Sequence, residues 1–144
     1  VNKIPRSPFN LLQEIYRSQP WKVMVCCILL NQTTRTQVDR IRGEFFRRWP
    51  TAKACSKADP AEISELIKPL GLYNRRALSI IRFSHEYISK DWTKIKELHG
   101  MGQYAQDSWD LFIDLKMVKN PSDHKLNDYV RWQKKIGFFK LTFV

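Results

Sequence analysis

Glycine, cysteine and negative charge are all scarce in this 144-residue chain. It has 5 Gly, 3 Cys, and 14 Asp plus Glu against 25 Lys plus Arg. So few glycines, with only 7 prolines, exclude low-complexity and collagen-like sequences. Three cysteines, Cys26, Cys27 and Cys55, are an odd count without metal-type spacing. That argues against a disulfide framework and against zinc or iron–sulfur ligation. Cys26 and Cys27 are adjacent in an apolar run and read as small buried hydrophobes, which suits a reducing compartment, cytosol or nucleus. That run, Val23 to Leu30, is the longest and is too short to cross a bilayer. No signal-peptide layout opens the chain. It starts at Val1 rather than Met, so a domain of a longer protein is expected.

What is present fits a folded, strongly basic domain. Hydrophobic residues make up 43% of the chain and aromatics 12%, enough for a real core and too many for a disordered tail. The formal charge of +11 points to a polyanion, with nucleic acid as the default partner. A membrane surface is disfavoured, because no helix gathers its lysines opposite a clean apolar face.

The pattern is helical nearly throughout, predicting one all-α domain over residues 1–144, arranged in two lobes. Ser7-Pro8 predicts a helix start, followed by Phe9, Leu12 and Tyr16 on one face. Pro20-Trp21 opens an apolar segment to Leu30, read as a core helix because no strand partner exists elsewhere. Thr34 to Trp49 carries Val38, Ile41 and Phe45 at helical spacing. Asp59-Pro60-Ala61-Glu62 combines a cap, Pro at the first position and a Glu three residues on. Asn74 is expected to cap the next helix. A short helix around Trp92 to Leu98, a Gly100-Met101-Gly102 turn and a helix from Gln103 to about Lys116 follow. The last helix comes after Asp123, with Leu126, Tyr129 and Val130 facing inward.

Four segments are candidates for chemistry, and each has an ordinary reading beside the functional one. Gly100 and Gly102 let backbone amides approach a phosphate closely, and the helix starting at Gln103 aims its free N–H groups at the same anion. The same residues also suit a tight turn. Leu72, after Gly71, is either a hydrophobic cap contact or a wedge between bases. Leu30-Asn31-Gln32-Thr33-Thr34 is a polar break whose amides either cap a helix or fill a gap in a duplex. In Pro121-Ser122-Asp123-His124-Lys125, Asp123 is either a helix cap or a functional carboxylate. His85, His99 and His124 do not fall at zinc spacing. The basic pairs, Arg75-Arg76 among them, read singly as solvated faces, and only their total favours DNA or RNA.

Together LNQTT, ELIKPLGLYNRRA, ELHGMGQYAQDS and PSDHKLN resemble the helix–hairpin–helix DNA glycosylase superfamily. Within it the chain is similar to the glycosylase domain of methyl-CpG-binding-domain thymine-DNA glycosylases, from about Pro5 to Trp132. The resemblance implies a two-lobed helical fold with the active site in a cleft and a hairpin over about residues 92–114. It implies excision of thymine or uracil mispaired with guanine. Asp123 matches the catalytic aspartate. Tyr104 stands where bifunctional members carry a Schiff-base lysine, implying a monofunctional enzyme. Leu72 matches the wedge and Gln32 the residue that fills the flipped nucleotide's place. Gln13, the Leu30 backbone and Tyr104 match the base pocket, and Lys125 a position near the DNA backbone. Gly100, Gly102 and Gln103 are the expected phosphate grip. His99 stands where the wider superfamily usually has Pro. The four-cysteine iron–sulfur loop and a methyl-CpG-binding domain are absent from this sequence, and Gly137 to Val144 match nothing in the family.

The expected partner is double-stranded DNA with a T·G or U·G mismatch, with a CpG context as a further expectation. No metal or organic cofactor is expected, nor a membrane. A monomer in the nucleus completes the expectation. Two alternatives stand beside it: a non-catalytic helix–hairpin–helix DNA-binding module, and a bifunctional glycosylase acting on damaged bases.

Overall fold

The computed structural model describes residues 4–137, so residues 1–3 and 138–144 of the expected domain lie outside the described residues. Within them the chain forms eight α-helices and no strand. They are α1 (Leu12–Ile15), α2 (Pro20–Leu30), α3 (Arg35–Arg48), α4 (Ala52–Ser56), α5 (Pro60–Ile67), α6 (Tyr73–Ser89), α7 (Gln103–Ser108) and α8 (His124–Lys135). Tight 3-10 turns occupy Lys68–Leu70 and Ile95–Glu97, and α7 widens into a π turn over Trp109–Ile113.

Helix α2 is the hub. Every residue from Val23 to Leu29 is buried, and the helix touches α1, α3, α6 and α7. A helix apolar on all sides has no solvent face to offer, so it belongs inside. Each such side chain contributes roughly 1.5–3 kcal/mol on burial. The helix starts follow the capping residues. Thr34 Oγ1 accepts from the Gln37 N–H while Gln37 Oε1 accepts from the Thr34 N–H. Asp59 accepts from the Ala61 N–H, with Pro60 at the first position. A second, smaller apolar cluster joins Leu11, Leu111 and Phe112 to Leu126, Tyr129 and Val130 of α8, and Tyr104 packs against both clusters.

Four local expectations are corrected. Ser7-Pro8 does not start a helix; α1 begins at Leu12. The buried Glu14 carboxylate accepts from the Ser7 N–H at 2.7 Å, the Ser7 O–H at 2.7 Å and the Leu11 N–H at 2.9 Å. Those bonds hold residues 7–11 in an irregular strap, with Asn10 left-handed at φ 50°. Asn74 is not a cap: Leu72 holds the cap position of α6, and Asn74 falls in its first turn. Within Trp92–Leu98 only Ile95–Glu97 is helical, a single 3-10 turn drawn tight because Glu97 Oε2 accepts from the Thr93 O–H and the Lys94 N–H. The helix after Gln103 stops short of Lys116, because the α ladder gives way to the π turn and Leu115 is left-handed at φ 57°.

Removing the Glu14 carboxylate strands donors in a buried setting. Glu14→Ala is expected to lower stability by at least about 2 kcal/mol. A urea midpoint that does not move would show that the strap contributes nothing.

All three thiols are buried, and burial raises each pKa above the usual thiol range, to about 12 for Cys27 and about 11 for Cys55. A thiol that is neither ionised nor accessible reacts slowly. Iodoacetamide at pH 8 is therefore expected to leave the folded protein unmodified and to label all three cysteines in urea. Equal labelling rates in the two states would contradict the buried placement.

Candidate active site

A cavity of about 810 Å³ opens where α1, the C-terminal end of α2, the start of α6, the glycine turn before α7 and the start of α8 converge. All ten residues singled out in the sequence line it: Gln13, Leu30, Gln32, Leu72, Gly100, Gly102, Gln103, Tyr104, Asp123 and Lys125.

Asp123 caps α8. Its Oδ2 accepts from the Leu126 N–H at 3.0 Å, and its Oδ1 has no hydrogen bond among the described residues. Asn127 donates through Nδ2 to the Pro121 carbonyl, tying the segment ahead of Asp123 to the helix. The positive end of the α8 dipole favours a negative charge at this position. The carboxylate is thus fixed by one oxygen and open at the other. Capping and chemistry are compatible here because they use different oxygens.

Two neutral polar groups line the same cavity. Gln13 is only 2% exposed, and its Nε2 donates to Tyr104 Oη at 2.8 Å and to Ser108 Oγ at 3.2 Å. Burial above all, with the charge of Asp123 among the further causes, pushes the Tyr104 phenol far above its ordinary range. It stays an uncharged hydroxyl, and since it accepts from Gln13 its proton is available to another partner. Cys27 lies on the same wall, and Asp123 also helps to raise its pKa, after burial and against Ser108. Neither Ser108 nor Cys27 was marked as a site residue in the sequence. Ser108 follows Tyr104 by four positions, which places both on one face of α7. Nothing in the sequence distinguishes Cys27 from its buried neighbours.

Along the glycine turn, Gly100 takes φ 78°, a left-handed value that suits glycine. Met101 is buried and anchors the turn, leaving Gly100 and Gly102 facing the cavity. The Gln103 side chain bonds Asp107 at 2.7 Å, so what α7 offers at its start is main-chain N–H. His99 does not line this cavity; its ring Nε2 lies 3.3 Å from Ser79 Oγ and its N–H donates to Glu86. Lys125, in the first turn of α8, is exposed.

Two non-glycine residues on the rim are left-handed, Leu72 at φ 49° and Gln32 at φ 60°. Such a conformation costs a side-chain-bearing residue roughly 1–2 kcal/mol. Leu72 is 58% exposed, so no burial compensates for most of its surface. The basic pair Arg75-Arg76, expected on a solvated face, is split. Arg75 is exposed, whereas Arg76 is buried and burial lowers its pKa. The signal was present: Arg76 falls four residues before the core residue Ile80, on the inner stripe of α6. Among the described residues no group of three His, Cys, Asp or Glu side chains is placed to hold a metal ion.

The chain is similar to known DNA repair proteins. The profile of the HhH-GPD superfamily of base excision DNA repair proteins matches residues 25–140. The chain is 41% identical over 136 residues to a methyl-CpG-binding domain protein 4-like protein of Arabidopsis thaliana, covering 92% of this chain and 31% of that one. It is 37% identical over 94 residues to a thymine-DNA glycosylase of Aeropyrum pernix, covering 60% of this chain and 42% of that one. It therefore spans well under half the length of either relative. The structure of a thermostable thymine-DNA glycosylase superposes with a TM-score of 0.66 at 25% identity, covering 72% of this chain and 52% of the other.

Proposed function

We propose, because this chain belongs to the HhH-GPD superfamily of base excision DNA repair proteins, that it is a monofunctional DNA glycosylase excising thymine or uracil opposite guanine. The observation that carries the proposal is the Asp123 carboxylate. One oxygen is held by the start of α8, and the other is unbonded beside a cavity that Gln13 and Tyr104 also line.

A base inside a stacked duplex must be extruded before its glycosidic bond can be reached, and a mispaired pyrimidine costs less to extrude. Leu72 and Gln32 would enter the vacated space and offset part of the lost stacking. The backbone around Gly100, Gly102 and Gln103 would hold phosphate, with Lys125 nearby, fixing register without reading sequence. In the pocket, between two lobes, Gln13, the Leu30 backbone and Tyr104 would bond the pyrimidine edge. As the bond from C1′ to the base breaks, its electron pair leaves with the base and positive charge develops on the sugar. Ionised Asp123 stabilises that charge or orients the attacking water. Water completes C1′, giving an abasic site and a free pyrimidine.

Nothing at the position of Tyr104 supplies an amine, so no covalent intermediate with DNA forms. Incubation with a T·G duplex under single turnover, followed by alkali, is expected to cut the thymine strand, and borohydride is expected to trap no adduct. A trapped adduct would make the enzyme bifunctional; a bound but uncut duplex would leave only a DNA-holding module. Action as a monomer in the nucleus is part of the same proposal.

A further inference from the structure

Both rim residues proposed to enter the duplex, Leu72 and Gln32, have left-handed backbones, and one side chain is bonded to the peptide in front of each. Arg76 Nε donates to the Gly71 carbonyl at 3.3 Å, immediately before Leu72. Its Nη1 donates to the Asn31 carbonyl at 2.8 Å, immediately before Gln32, and to the Ile28 carbonyl at 3.1 Å. The Arg76 backbone N–H donates to the Leu72 carbonyl at 2.8 Å, the first main-chain bond of α6. Arg76 is 6% exposed and forms no ion pair among the described residues. A buried guanidinium without a carboxylate is unfavourable unless several acceptors converge on it, and here three carbonyls do, Ile28 in the last turn of α2 and Asn31 and Gly71 in the two loops.

We propose that Arg76 is a positioning residue that locks the Gln32 and Leu72 loops into one rigid two-pronged probe. This rests on the glycosylase proposal and adds to it the part that makes the two prongs act together. The loops are far apart in sequence and approach each other at the rim of the cavity. Thr33 secures only one of them, by donating its hydroxyl to the Leu29 carbonyl at 2.6 Å. Without the arginine bridge each left-handed residue is free to relax toward an ordinary backbone, and the prongs lose their common register. A misplacement of about 1 Å at such a site costs on the order of 10²-fold in rate.

A merely structural arginine would also lower stability, so the test is a cycle. Single-turnover base release is measured on a T·G duplex carrying 2-aminopurine beside the mismatched thymine, whose fluorescence reports extrusion. The proteins are the parent, Arg76→Gln, the double variant Leu72→Ala/Gln32→Ala, and all three changes together. Arg76→Gln is expected to lose about 10²-fold in release together with the extrusion signal. In the prongless background the same change is expected to cost no more than about twofold, the spread seen for independent sites. Should Arg76→Gln not fold, Arg76→Lys replaces it, retaining the charge but losing the planar fork that serves both loops. The lysine variant is expected to lose release in the parent background and not in the prongless one. An undiminished loss in the prongless background, or parental release and extrusion with lysine, overturns the bridge. A parent that neither extrudes nor releases the base overturns the glycosylase proposal, and this one with it.

Discussion

Asp123→Asn is expected to bind a T·G duplex like the parent and to release base at least about 10²–10³-fold more slowly. Asparagine caps a helix as well as aspartate does, so the bond to the Leu126 N–H survives and α8 still starts at His124. What disappears is the negative charge facing the cavity. Asp123→Ala removes both charge and cap, and should lose a further ~1 kcal/mol of stability. Melting temperatures and single-turnover rates together therefore separate the two roles of the side chain. Parental release by the asparagine variant would reduce Asp123 to a cap.

Leu72→Gly is expected to move stability and activity in opposite directions. Leu72 is left-handed and mostly exposed, so glycine relieves strain of roughly 1–2 kcal/mol against an added chain-entropy cost of about 0.5–1 kcal/mol. Stability should hold or rise by up to about 1.5 kcal/mol. Base release should fall by about 10²-fold, because the wedge offsets a few kcal/mol of unstacking and each 1.36 kcal/mol is a factor of ten. Leu72→Ala keeps the left-handed strain and loses the wedge, so it should lose activity without the gain in stability. Strain retained at a working position is a recurring feature of functional sites. A glycine variant that melts lower than the parent would show that Leu72 is there for packing.

The legible parts of this molecule are those set by local chemistry. Helix α2 follows from an apolar run with no polar stripe, and α3, α5 and α8 from caps written just ahead of periodic cores at Thr34, Asp59 and Asp123. Leu72 after Gly71 was legible only as a choice between a cap contact and a wedge, and the fold exposes it. Contacts between distant segments were not legible. Glu14 overrides the helix signal at Ser7-Pro8 from seven residues away, and Gln13 meets Tyr104 across 91 positions. The spacing of Arg76 four residues before Ile80 marks it as inward, but not that the carbonyls of Asn31 and Gly71 will meet it there. Periodicity reports which face of a helix is inward, but not which loop will be waiting there.

The question that decides most is whether a free pyrimidine leaves the DNA. The domain is mixed in slight excess with a duplex holding one T·G pair, and small molecules are analysed by mass spectrometry beside a T·A control. Thymine released in proportion to new abasic sites, from the mismatch and not from the paired control, is the predicted result. A duplex that is bound but yields no free base would contradict it.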